Sequence, residues 1–121
     1  MPLPDNHSLD EVIVWAHLAD VSTASSAFAS APVRGTIIKM GSVIYNAITG
    51  ANAEITSKIA GTAITGGSWT ITQSGSAAGD VDTANPTAAR FVTEDQNIEF
   101  ISDGASSTTT PAMFFAVIQK E

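Results

Sequence analysis

The chain has 121 residues, enough for one domain of ordinary size and too few for two. Ala (19), Ser (13), Thr (14) and Gly (9) make up nearly half of it, while charged residues contribute only 14%. Twelve acids against five bases give a net charge of −7, which argues against a surface that neutralises a run of phosphates, so no nucleic-acid partner is expected. The absence of cysteine excludes a disulfide framework, thiolate catalysis and a zinc-finger type of site.

With 44% apolar residues the chain has the material for a core and does not read as disordered. Its longest apolar run, Val12–Leu18, is short, contains His17 and follows Asp10 and Glu11 instead of a basic flank. No membrane span or export signal is therefore expected, and a cytoplasmic origin is the simplest expectation. Ile (12) and Val (8) outnumber Leu (3), and 14 Thr add to the β-branched set. Such side chains are stiff at χ1 and suit a pleated surface. The alanines sit among Ser, Thr and Gly and form no amphipathic stripe. The chain reads as all-β.

In chain order, residues 1–11 read as an extended N-terminal arm, with Pro2 and Pro4 near its start, and 12–121 as the folded domain. The first strand is Val12–Ala19, and Val21–Pro32 reads as a small-residue loop. Val33–Thr49 reads as one long strand or two strands bent at Gly41, because a glycine inside a strand often marks a kink. Ala53–Ala60 alternates cleanly, with Ile55, Ser57 and Ile59 on one face and Glu54, Thr56 and Lys58 on the other. Gly61-Thr62 suits a two-residue turn. In the strand from Ala63, Ile64 is even while Trp69 and Ile71 are odd, which predicts a bulge at Gly66-Gly67. Gln73–Arg90 reads as a long polar connection punctuated by Asn85-Pro86. Phe91–Thr93, Asn97–Ser102 and Ala112–Gln119 complete the strands. Ala47–Thr56 (AITGANAEIT) is echoed by Ala63–Thr72 (AITGGSWTIT), two uses of one strand-end, turn and strand-start rather than a solenoid. The spacing predicts a single-domain antiparallel β-sandwich with short turns and one long polar loop, of which the jelly roll is one form.

Residues that could carry chemistry are few. Asp5, Asp10 and His17 hold ligand-type side chains, yet their spacing matches no metal site. Asp80-Val81-Asp82 begins like a calcium loop but lacks its glycine and its twelfth-position glutamate, and reads as a solvated turn. Glu54, Glu94, Asp95, Glu99 and Asp103 could supply a carboxylate pair, but any acidic chain offers such pairs. No nucleophile elbow, phosphate-cradling loop or dinucleotide fingerprint is present. No enzyme and no cofactor are expected. Trp15, Trp69 and Tyr45 could stack on sugars if they lined a groove; the apolar alternation around both tryptophans favours packing.

The terminal strands are more informative. Ala112–Gln119 sets Phe114, Ala116 and Ile118 on one face and Met113, Phe115 and Val117 on the other. Val12–Ala19 sets Val12, Val14, Ala16 and Leu18 against Ile13, Trp15 and Ala19. A half-exposed strand should alternate apolar with polar, so both faces of these two need cover. A central place in a sandwich, or burial against another subunit, would provide it, and the second predicts a homo-oligomer.

Most of the chain also resembles the small head-decoration, or cement, proteins of tailed bacteriophages. The resemblance rests on Leu18-Ala19-Asp20-Val21-Ser22-Thr23-Ala24-Ser25-Ser26, Ala31-Pro32-Val33-Arg34-Gly35 and Ala47-Ile48-Thr49-Gly50-Ala51-Asn52-Ala53. It continues through Gly75-Ser76-Ala77-Ala78-Gly79-Asp80-Val81-Asp82, Ile98-Glu99-Phe100, Ser102-Asp103-Gly104 and Phe114 to Ile118. Glu94-Asp95-Gln96-Asn97 departs from it, standing where a Gly-Asp turn is expected. The resemblance implies a compact β domain made in the host cytoplasm and placed on the outer capsid surface of a virion. Its implied partners are the major capsid protein and further copies of itself, as a trimer before a dimer, with no membrane, nucleic acid or catalytic residue involved. Pro2, Leu3, Pro4 and Leu9 of the arm, with Trp15, Phe115 and Val117 of the end strands, are the candidate subunit or capsid contacts. The competing expectation is a carbohydrate- or receptor-binding module of a phage tail or fibre.

Overall fold

Ten antiparallel strands form two sheets in the computed structural model, which describes residues 10–121. They are β1 (Glu11–Leu18), β2 (Ser25–Ser30), β3 (Gly35–Ile44), β4 (Ala53–Ile59), β5 (Thr62–Ala63), β6 (Trp69–Ile71), β7 (Val81–Ala84), β8 (Phe91–Val92), β9 (Asn97–Ser102) and β10 (Ala112–Lys120). One sheet runs β1-β10-β3-β7, with β8 on the same edge of β3; the other runs β2-β9-β4-β5, with β6 beside β5 on β4. The pairings nest: β1 with β10, β2 with β9, β3 with β7 and β8, β4 with β5 and β6. A long antiparallel ribbon wrapped into two layers gives this wiring, so the sandwich is a jelly roll.

The core lies between the inner faces. Ala112, Phe114, Ala116 and Ile118 of β10 and Ile37, Met40 and Ile44 of β3 are buried against Ile55 of β4, Ile98 and Phe100 of β9 and Ile71 of β6. Phe100 and Phe114 stack across the layers with centroids 5.4 Å apart and planes 9° from parallel. The Trp69 ring meets Phe114 edge-on, and its Nε1–H donates to the Ser42 hydroxyl of the opposite sheet at 2.9 Å. The buried indole N–H thus finds a partner, as burial demands. In the AITG echo, Ile48 and Ile64 are both buried, so the repeated tetrapeptide supplies one plug to each of two sandwich ends.

Several strand boundaries differ from the sequence pattern. Val21–Pro32 contains β2, whose Ala27 and Ala29 are buried while Phe28 and Ser30 face solvent. Alternation of very small residues is a faint signal, and pairing with β9 enforces the strand. Likewise Gln73–Arg90 contains β7, an edge strand held by Met40–Val43 of β3. The irregularity in β3 lies not at Gly41 but three residues earlier: Val117 pairs with Lys39 and Ile118 with Ile37, leaving Ile38 as the extra residue. This bulge lets both Ile37 and Met40 point inward despite their opposite parity. At Gly66-Gly67 the parity change is real, but the chain achieves it by leaving the sheet between β5 and β6. Glu11, placed in the arm by the sequence pattern, is the first residue of β1.

The β4–β5 turn falls at Ala60-Gly61, with Ile59 paired to Thr62. Both turn residues have positive φ, 47° and 90°, as a type I′ turn requires. An alanine there is strained, and Asn-Gly is the favoured pair. Ala60→Asn should therefore raise unfolding free energy by about 0.5–1 kcal/mol in urea denaturation.

Asp20 ties the β1–β2 turn to the entry of β10. Its Oδ1 accepts from the Ser22 hydroxyl at 2.7 Å, the Ser22 N–H at 2.9 Å and the Thr110 N–H at 3.1 Å. The Ser22 bonds above all, with those from Thr110 and Thr23, hold its pKa at about 2, below the ordinary 3.8. A depressed folded pKa contributes stability that is complete above the unfolded value and is lost as pH falls towards the folded one. Asp20→Ala should lower the melting temperature at neutral pH. Its melting temperature should also fall less than that of the wild type on acidification from about pH 4 to about pH 2.

Candidate functional site: the outer face of the β1-β10-β3-β7 sheet

The outer surfaces of the two sheets differ in kind. On the β2-β9-β4 sheet the outward side chains are mostly polar, and several pair across strands: Ser26 donates to Glu99 and Thr70 to Glu54, both at 2.6 Å. Phe28 stands there at 58% exposed, with Glu99 opposite it on β9.

The β1-β10-β3-β7 sheet carries apolar rows instead. Register sets Trp15 opposite Phe115, Phe115 opposite Gly41, and Gly41 opposite Thr83. On one side of this row lie His17, Met113, Val43 and Val81; on the other lie Ile13, Val117 and Lys39. Ile13 is 54% exposed, Trp15 50% and Val81 57%. Met113, Phe115, Val117 and Val43 are half-buried only because they lie in the middle of the sheet. The Trp15 and Phe115 rings meet at 5.2 Å with planes tilted by 50°. Tyr45, also exposed, faces His17 with ring centroids 6.5 Å apart and extends the aromatic edge.

Gly41 makes the patch flat. A Cβ at that position would lie 2.7 Å from Cζ of Phe115 and 2.5 Å from the Asp82 carbonyl oxygen. Its absence lets the Phe115 ring lie down across β3 instead of standing out from the sheet. Among the described residues only Lys39 and His17 bring a basic or imidazole group to these rows. At the β7 border, partial burial pushes the Asp82 carboxyl above the usual range, and the neighbouring charge of Asp80 pushes the same way.

Of the sequence candidates, Trp15, Phe115 and Val117 come together on this one face. Pro2, Leu3, Pro4 and Leu9 lie outside the described residues, as do residues 1–9 of the arm as a whole. Trp69 is 7% exposed and belongs to the core, so it is removed from any sugar-stacking surface. Ile13 and Met113 were visible in the two-faced pattern of β1 and β10. Val43 and Val81 were not, because β7 sits inside a polar stretch and the Ile38 bulge changes the face of every later β3 residue. Asp80 and Asp82 do not form the start of a calcium loop: Asp80 accepts the Ala77 N–H at 2.9 Å, and Asp82 lies in β7 opposite Ser42. A separate open cleft of about 520 Å³, lined by Thr36, Thr62, Arg90, Phe91 and Gln96 among others, lies at the β4–β5 end.

No protein-family model matches the chain, and no curated protein does. Solved structures of the same fold exist. A chain of the cyanophage Pam1 capsid asymmetric unit superposes with a TM-score of 0.61 at 12% identity, covering 100% of this chain and 94% of that one. A chain of the acid-stable capsid of Helicobacter pylori bacteriophage KHP30 gives 0.58 at 8% identity, with 88% and 85% covered. A glycoside hydrolase family 43 arabinoxylan arabinofuranohydrolase from Bacillus subtilis gives 0.60 at 10% identity, but the matched part is only 21% of that chain against 86% of this one. At these identities the likeness is one of fold.

The two tryptophans should report the two environments separately. With Trp69→Phe the remaining Trp15 emission should be red-shifted and readily quenched by acrylamide; with Trp15→Phe the Trp69 emission should be blue-shifted and protected. Equal quenching of the two would contradict the exposed aromatic row.

Proposed function

We propose that the chain is a structural virion protein that decorates the outer surface of a phage head, self-associates and stabilises the shell, without catalysis or cofactor. The observation that carries this reading is the apolar outer face of the β1-β10-β3-β7 sheet: Ile13, Trp15, Met113, Phe115, Val117, Val43 and Val81 together, in a chain whose other sheet is mostly polar outside. Contiguous apolar surface of this kind marks a macromolecular interface. It is flat and holds no deep pocket, as a surface laid on another protein requires and a small-molecule site does not. Support comes from the two capsid chains, which match over 85% or more of both partners, whereas the hydrolase match is to a small fraction of a long chain. The major capsid protein is the assigned partner, and the virion exterior the assigned location. Modest affinity at each site suffices, because many identical contacts on a symmetric lattice add avidity.

A carbohydrate- or receptor-binding module of a phage tail or fibre is the second reading. Exposed Trp15 and Tyr45 favour it, as does a domain of this fold within the arabinoxylan-acting enzyme.

Co-sedimentation with assembled phage shells that lack the protein tests the first reading: it should bind shells and not dispersed capsid protein. Trp15→Ala should weaken shell binding by about 10- to 100-fold, the equivalent of about 1.5–3 kcal/mol for one buried large side chain. A chain that ignores shells while a glycan panel quenches Trp15 fluorescence would transfer the assignment to the second reading.

A further inference from the structure

β1 is an edge strand, and among the described residues no strand pairs with its free side. It pairs with β10 through all eight of its residues without a register shift, and it contains no proline, lysine or arginine. Such devices ordinarily keep a long apolar edge from pairing with another chain. The remaining edge strands are shorter: β2 has six residues, three of them serine, β7 has four, β6 has three, and β5 and β8 have two each.

The direction of the free backbone groups follows from one hydrogen bond. Lys120 N–H donates to the Asp10 carbonyl at 2.6 Å, so Asp10 faces β10. In an antiparallel ladder the N–H and C=O of a residue point the same way, and the direction alternates along the strand. Even-numbered residues of β1 therefore bond β10, and Glu11, Ile13, Trp15 and His17 direct both backbone groups outward. Among the described residues no backbone hydrogen bond reaches those four from the free side.

We propose that this edge pairs with β1 of a second copy of the chain, antiparallel, across a two-fold axis at Val14. Only pairing of odd with odd residues joins the outward groups and keeps the two apolar faces on the same side. An axis at Val14 sets Ile13 opposite Trp15 of the second copy and Glu11 opposite its His17. All four outward residues are then used, with an aromatic/β-branched contact and a carboxylate/imidazole contact each occurring twice. An axis at Trp15 would leave Glu11 opposite Ala19, beyond the end of the strand, and would set Ile13 against His17. The pairing is isologous and closes at two copies, so it replaces the trimer implied by the family resemblance. It deepens the shell-binding reading and rests on that reading for its purpose: one continuous sheet presents two apolar patches, coplanar, to the same surface.

Light scattering after size exclusion should give twice the 12.4 kDa chain mass. Ile13→Pro, which removes an outward N–H and none of the bonds to β10, should give a monomer with unchanged far-UV circular dichroism. Cysteine variants fix the register, since the chain has no cysteine of its own. Val14→Cys would face itself in a non-hydrogen-bonded pair with Cα atoms about 4.5 Å apart, within disulfide range, and should cross-link on oxidation. Val12→Cys, opposite Ala16, should not. A monomeric wild type, or equal cross-linking of the two variants, overturns the pairing. The same samples separate the two ideas. A β1-linked dimer that ignores shells keeps the pairing and sinks the shell role, and a monomer that binds shells does the reverse.

Discussion

Phe114 and Phe115 are neighbours in sequence, and the chain must find apolar contact for both. A strand sends successive side chains to opposite faces, so no arrangement of β10 within a two-layer sandwich covers the two together. Phe114 takes the core, stacked on Phe100 and edged by Trp69. Phe115 is left on the outer face, settled in the gap above Gly41 and beside Trp15. The same division runs down β1, where Leu18 and Ala16 go in and Ile13 and Trp15 stay out. The outer apolar rows are thus built into the strands that close the core, and among the described residues no further layer covers them.

This arrangement separates the two tasks of the molecule by layer. Stability comes from the gap between the sheets, where Ile, Phe and Ala side chains are sealed and Ser42, Ser57 and Trp69 have their polar groups bonded. Solubility comes from the β2-β9-β4 face and the acidic loops, which carry much of the net charge of −7. Acidic residues there also hold the protein apart from other anionic surfaces. The remaining face is then available for contact, and its flatness, ensured by Gly41, lets large side chains act as area and not as isolated projections.

How much of this was legible in the sequence depends on side-chain size. The β-branched excess gave the class, and the two-faced patterns of Val12–Ala19 and Ala112–Gln119 pointed directly at Trp15, Phe115 and Val117. Strands made of small or polar residues were hidden: Ser25–Ser30 and Val81–Ala84 are extended because β9 and β3 offer them edges, a tertiary effect that local pattern does not carry. The Ile38 bulge was hidden for a related reason. Ile37 and Ile38 are identical side chains, so nothing in the sequence says which one the β10 ladder skips. Gly41 reads as a kink in the sequence, but its role is to make room for the Phe115 ring of the neighbouring strand β10, which only register reveals.

Two-faced apolar strands raise a problem that ordinary alternation solves by itself. When one face is polar, a slip of one residue exposes the whole apolar set, and register is thereby fixed. In β1 and β10 a slip would exchange one apolar face for the other at small hydrophobic cost, so register must be held by shape and by polar ties. The Ile38 bulge fixes β10 against β3, since only one position of the ladder accommodates the extra residue. Phe115 over Gly41 adds a steric lock, because at either neighbouring β3 position its ring would meet a side chain. At the far end Asp20 bonds both Ser22 and Thr110, and the Val21 N–H donates to the Thr110 carbonyl at 2.8 Å. That knot fixes where β1 ends and where β10 begins. The chain can therefore keep apolar side chains on both faces of its end strands because turns, a bulge and one missing Cβ do the work of register that hydrophobic patterning performs elsewhere.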